Sequence, residues 1–263
     1  MGYFNVTVKP TIDVAALVAG DIDDAEILFD WSGFDVPKGA SRLIGITVLY
    51  RGKNGADYAP TDFELFWAKG EKHTGSSGLL TPITLGDDGA AVDTPGWFHL
   101  VQGKTYVDAS NGTNDGDLLY GNVITVPNVS GGVAAASSID GFPNTSGLVL
   151  QGEPDSGTNV GYDKLYVAAI AKGTHNWGVS TMQVDDVTTN TDSPLIVVQS
   201  LSTLTTIGPG DILRDQDNKL LGTVKRIKSS TVIELEANCA EASLSGKVVY
   251  NTTPITLLLS FEK

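Results

Sequence analysis

Positive charge is scarce in this chain. Seventeen Lys and Arg stand against 31 Asp and Glu among 263 residues, a formal net charge of −14, and only 18% of residues are charged. A body this acidic repels phosphate backbones and anionic lipid surfaces, so the expected partners include neither nucleic acid nor membrane. Cys239 is the only cysteine, and one chain therefore holds no disulfide framework and no multi-cysteine metal site. The three histidines, His73, His99 and His175, lie outside metal-ligand spacing of one another, and HExxH and Cys–His clusters are missing. So are GxSxG, Walker and Rossmann patterns. No run approaches the roughly 18 continuous apolar residues of a membrane span. "MGYFNVTVKPTIDV" lacks the basic stretch and apolar core of a signal peptide, so the chain is expected to be made and kept in a reducing cytosol. No catalytic residues and no cofactor are expected.

Helical periodicity is the next absence. "PTIDVAALVAGDIDDAE" is the best helix candidate, and its β-branched Val14, Val18 and Ile22 with Gly20 weigh against it. What is plentiful is punctuation: 30 Gly and 11 Pro, with Asn, Asp, Ser and Thr throughout. Between these breaks stand short runs rich in Val, Ile, Thr and aromatics, such as "YFNVTVK", "RLIGITVLYRG", "FELFWAKG", "LYGNVITVP" and "KLYVAAIAKG". That pattern predicts an all-β protein. Long strands joined by loops over residues 1–190 predict a β-sandwich, jelly-roll-like, with "DDVTTNTDSP" (Asp185–Pro194) as the linker. Six short runs in residues 195–263, ending with "PITLLLSFE", predict a small C-terminal β-barrel. "ELFWAKGEKHTG" and "LYVAAIAKGTHNWG" resemble each other and read as two strands that end alike.

Charge is divided unevenly between these parts. Residues 195–263 hold seven basic and seven acidic residues, which leaves ten and 24 for residues 1–194. The body carries the whole −14 and the module is neutral. Within the module, "GDILRDQDNKLLGTVKRIKSSTVIELE" predicts a hairpin that turns at "DQDNK". Its expected interior residues are Ile212, Leu220, Val224, Ile227, Val232, Ile233 and Leu235. The same stretch gathers Lys225, Arg226 and Lys228, candidate contacts to an acidic protein surface. It contains no aromatic to stack a base, which argues against nucleic acid.

Two other groups are candidate sites. Asp108, Asp115 and Asp117 in "DASNGTNDGD" are weak calcium candidates: the EF-hand template is not met, and turn chemistry is the default reading of such clusters. "GDIDDAE" (Asp21, Asp23, Asp24, Glu26) and "LGDDG" (Asp87, Asp88) have the same two readings. Trp97 and Trp177 follow Gly or Asn in turn-like settings and are candidate glycan-contact aromatics, whereas Trp31 and Trp67 sit in strands and read as core.

"LFDWSGFDVPKGASRLIGITVLYRGKNGADYAPTDFELFWAKG" resembles the sandwich core of capsid decoration (cement) and other virion structural proteins of tailed bacteriophages, particularly those of marine cyanobacteria. The C-terminal "GDILRDQDNKLLGTVKRIKSSTVIELEANCAEASLSGKVVY" is similar to small β-barrel modules of phage head and tail proteins. The resemblance covers about a third of the chain. It implies a non-enzymatic homotrimer that binds the major capsid protein on the outer surface of the virion. The alternatives are a tail, neck or fibre component, and a carbohydrate-binding adhesin that uses Trp97 and Trp177.

Overall fold

The structure, a computed structural model, describes residues 2–19, 22–51, 61–69, 101–107, 122–127, 148–154, 161–175, 182–185, 192–199, 207–242 and 244–263. It is all-β, as the run lengths predict. The described elements in chain order are β1 (Tyr3–Val8), α1 (Val14–Ala19), β2 (Ile27–Pro37), β3 (Ala40–Tyr50), β4 (Phe63–Ala68), β5 (Val101–Val107), β6 (Asn122–Pro127), β7 (Leu148–Gln151), β8 (Glu153–Pro154), β9 (Tyr162–Ala171), β10 (Leu195–Val197), β11 (Ile212–Asp215), β12 (Leu220–Ser229), β13 (Val232–Leu235), β14 (Val249–Asn251) and β15 (Ile255–Glu262). The doubtful helix is real but short. Asp13 Oδ1 accepts the Ala15 amide at 2.9 Å as an N-cap, and Val14 and Leu17, one turn apart, enter the core.

The strands form three antiparallel sheets. The first runs β1-β15-β3-β6, with β7 also on β3; the second runs β2-β9-β4-β5, with β8 on β9. Alternation explains the first sheet: Ile255, Leu257, Leu259 and Phe261 of β15 are all fully buried, while Leu258 between them is exposed. The two sheets share one hydrophobic core. Phe34 of β2 meets Phe261 of β15 at 6.3 Å, and Tyr50 of β3 meets Phe63 of β4 edge-on at 5.8 Å. Trp67 is core, as its strand setting predicts, and its indole N–H donates to Thr105 Oγ1 at 3.0 Å. Trp31 is half-buried. The look-alike segments prove to be neighbours: β4 and β9 pair along the length of β4.

The third sheet, β10-β13-β12-β11-β14, has its own core of Ile196, Leu213, Leu221, Val224, Ile233 and Leu235 among others. Two expectations change here. No sheet among the described residues closes into a barrel, because β15, assigned to the module by sequence, lies between β1 and β3. Four of its side chains match the large core, and its length suits the strands there. Upstream, Met182 and Val184 join the third sheet's core, and Val184 bridges to Val198. The module thus starts before the predicted linker and does not include the last strand.

The hairpin of β11 and β12 forms where the sequence places it, but its first half turns over by one residue. Leu213 and Leu221 are fully buried, while Ile212 is half-buried and Leu220 is 44% exposed. A register shift between Leu213 and Arg214 pairs them with Gly222 and Leu220, so Leu221 is the extra residue. One inserted residue exchanges the two faces of a strand. Val224, Ile233 and Leu235 are interior as predicted; Ile227 and Val232 are half-buried.

Candidate interaction surface

A carboxylate with no access to water requires its lone pairs to be filled by donors. Asp211, fully buried, meets that requirement five times over. Its Oδ2 accepts from Arg51 Nε at 2.9 Å, the Gly208 amide at 2.8 Å and Asn251 Nδ2 at 2.9 Å. Its Oδ1 accepts from Arg51 Nη2 at 3.1 Å and Lys9 Nζ at 3.2 Å. Lys9 follows β1, Arg51 follows β3 and Asn251 ends β14. One side chain of the module is therefore clamped by the ends of two strands of the first sheet. Gly208 allows the approach: a Cβ there would stand 2.5 Å from Arg51 Nη2 and 2.7 Å from its Cζ.

Held this way, the module projects the second half of β12. Beyond Val224 the strand outruns β11, and among the described residues only β13 pairs with it. Register shifts between Val224 and Arg226 and between Ile227 and Ser229 each pass over one residue, Lys225 and then Lys228. Both bulged residues are lysines. Lys225 Nζ lies 2.9 Å from Glu234 Oε1, and Arg226 contacts Glu234 Oε2 through Nε at 2.8 Å and Nη2 at 2.7 Å. Hydrogen bonds from Lys225 and then Arg226 pull the Glu234 pKa down to about 2. The two cationic side chains are still 57% and 61% exposed. Lys228 is exposed and has no ion-pair partner among the described residues. Three predicted contact residues thus form one row, with three positive charges against one carboxylate.

At the other end of the hairpin, "DQDNK" is a turn held by its own side chains. Asp215 Oδ1 accepts the Asp217 and Lys219 amides at 3.0 and 2.8 Å, and Asn218 takes a left-handed φ of 64°. Lys247 contacts the carboxylates of Asp217 and Asp215.

The remaining predicted residues divide cleanly. Trp97 and Trp177, the calcium candidates Asp108, Asp115 and Asp117, the pair Asp87 and Asp88, and His73 and His99 lie outside the described residues. In the GDIDDAE segment Asp21 lies outside the described residues; the Asp23 amide donates to Glu26 Oε2 at 2.7 Å within the turn, and Thr174 Oγ1, 151 positions away, donates to Asp23 Oδ1 at 3.1 Å. Among the described residues no three His, Cys, Asp or Glu are grouped to hold a metal. His175 is fully buried, flat against Tyr50 at 6.5 Å and edge-on to Phe63 at 6.3 Å. Its Nε2–H donates to the Asp62 carbonyl at 3.2 Å, and burial lowers its pKa to about 4. No helix among the described residues is long and apolar enough to cross a membrane.

Comparison with protein-family models and with curated proteins finds no match to this chain. The Asp211 clamp was not anticipated from sequence. Its ion pair joins residues 160 positions apart, and nothing local to "LYRG" or "GPGD" announces it.

Proposed function

We propose that this chain is a non-enzymatic structural protein of a tailed-phage virion that decorates and stabilises the outer capsid surface as a homotrimer. In this reading the two sheets with a shared core are a jelly-roll-like sandwich, and the third sheet is an incomplete small barrel. The observation that carries the proposal is the clamp at Asp211. It fixes the module to the body, and with the bounds that the sheets give it (residues 182–251, six basic and nine acidic) the module carries −3 against −11 for the rest of the chain. The clamp so presents the row Lys225, Arg226 and Lys228 in one orientation. A rigid basic row on an otherwise acidic particle suits docking to carboxylates on a capsid lattice while the body repels its neighbours. Trimeric display would multiply a weak contact into firm attachment.

Heads purified without this protein provide the test. The wild-type chain is expected to sediment with them in a saturable amount, and failure to pellet overturns the proposal. Lys228→Glu is the cleaner test of the contact, because Lys228 is not used to hold Glu234; binding unchanged in that variant removes the basic row from the contact.

A further inference from the structure

The described strand edges of this protein are not protected alike. An open edge presents unpaired N–H and C=O groups, and proteins blunt it with charges, proline or bulges. The edge of β12 carries Lys225, Arg226 and Lys228 with two register shifts. That of β2 has two register shifts, between Ile27 and Phe29 and between Phe29 and Ser32, and bears Asp30 and Asp35. β1 has none of these. "YFNVTV" contains no charge and no proline, and its register against β15 is unbroken from Tyr3–Glu262 to Val8–Leu257. No described strand is hydrogen-bonded along its other side.

Which groups face that open side follows from the pairing. The Gly2 amide donates to the Lys263 carbonyl at 3.1 Å, and the Lys263 amide donates to the Gly2 carbonyl at 2.8 Å. Gly2 and Lys263 are thus a hydrogen-bonded pair, and alternation makes Phe4, Val6 and Val8 bond β15 while Tyr3, Asn5 and Thr7 direct their backbone groups outward. Their side chains are exposed, Tyr3 by 70%. Phe4, stacked on Phe261 at 5.0 Å, and Val6 pack against the core but remain half-exposed.

We propose that the open edge of β1 is an interface for a second copy of this chain, whose own β1 adds antiparallel with Asn5 on the two-fold axis. The pattern around Asn5 is its own complement. In that register Asn5 pairs with Asn5, and Tyr3 with Thr7 in both directions, so all three outward residues of each copy exchange both backbone bonds. The same register sets Phe4 opposite Val6 twice on the inner face, an aromatic–β-branched pair that stabilises antiparallel strands. No ionised side chain lies within the paired segment, so two copies of charge −14 meet there without a like-charge contact. Their long-range repulsion remains, and association tightens as salt screens it. This inference goes beyond the virion proposal and does not rest on it.

The test is the mass of the full chain across concentration, by sedimentation or light scattering, at low and high salt. Wild type is expected to double in mass as concentration rises, from one chain to two or from three to six, more readily at high salt. Asn5→Pro removes an N–H that the β1–β15 pairing does not use, and Asn5→Lys places two ammonium groups on the axis. Each is expected to weaken association by about tenfold or more with thermal stability unchanged. Position gives a separate readout. Asn5→Cys is expected to oxidise to a covalent dimer, because residues in a hydrogen-bonded antiparallel pair are within disulfide reach; Thr7→Cys, opposite Tyr3, is not. A chain that stays monomeric at every concentration overturns the proposal. So does a trimer whose mass Asn5→Pro and Asn5→Lys leave untouched, and that result would leave the virion trimer standing on another surface.

Discussion

Asp211 has no exposure, so its ion pair with Arg51 works without screening by solvent. Asp211→Asn keeps the shape but removes the charge that faces the buried Arg51 guanidinium. The expected loss is about 3–5 kcal/mol in urea unfolding. Lys9 is partly exposed, so Lys9→Ala is expected to cost only about 1 kcal/mol or less. His175 makes a pH prediction. Its folded pKa of about 4 lies below the ordinary 6.5, so the unfolded chain binds this proton first. The contribution is complete above pH 6.5 and is lost as pH falls towards 4, about 3 kcal/mol in all. Urea midpoints for wild type and His175→Phe, measured between pH 7 and 4, check it: the wild-type midpoint should fall more steeply. Sequence showed His175 only as a histidine without partners of metal spacing. Its real neighbours, Tyr50, Asp62 and Phe63, are set by how β3 and β4 meet, which no local pattern encodes.

At the scale of single elements the reading was better. The hairpin, its turn at Asp215–Lys219 and the strand runs were all legible, because alternation and turn residues act over a few positions. The face of the first half was not. A bulge adds one residue without changing composition, and it moved Leu221 inward and Leu220 outward. Leu221→Ala should therefore cost about 2–5 kcal/mol, whereas Leu220→Ala should stay within about 0.5 kcal/mol; paired denaturation curves decide it. Charge reversal along β12 divides the same way. Lys228→Glu is expected to leave stability unchanged. Arg226→Glu sets like charges against Glu234 and should lower the melting temperature, most visibly at low salt.

For the whole molecule, what sequence could not reveal was membership. Composition placed residues 255–262 with the module because they follow it, and placed Met182 and Val184 with the body because they precede a polar linker. Chain proximity is a weak guide when sheets pair antiparallel across long intervals. The total of −14 needs no fold, but its division does: with residues 182–251 as the module, Asp185, Asp186 and Asp192 pass to it, and it carries −3 rather than zero. The Asp211 clamp then joins the parts that this count separates.

The position of β15 also bears on how the molecule is made. Tyr3 and Glu262 are 259 positions apart, and β15 is the described strand through which β1 joins β3. As the chain leaves the ribosome, the third sheet can complete its strands from residue 182 to residue 251 while β1 still waits for its neighbour. The first sheet closes last, around a strand inserted between two already synthesised. Such distant pairing makes for slow folding. Until it happens, both flanks of the gap are open edges, and the period between synthesis of β1 and arrival of β15 is when this protein most needs protection from aggregation.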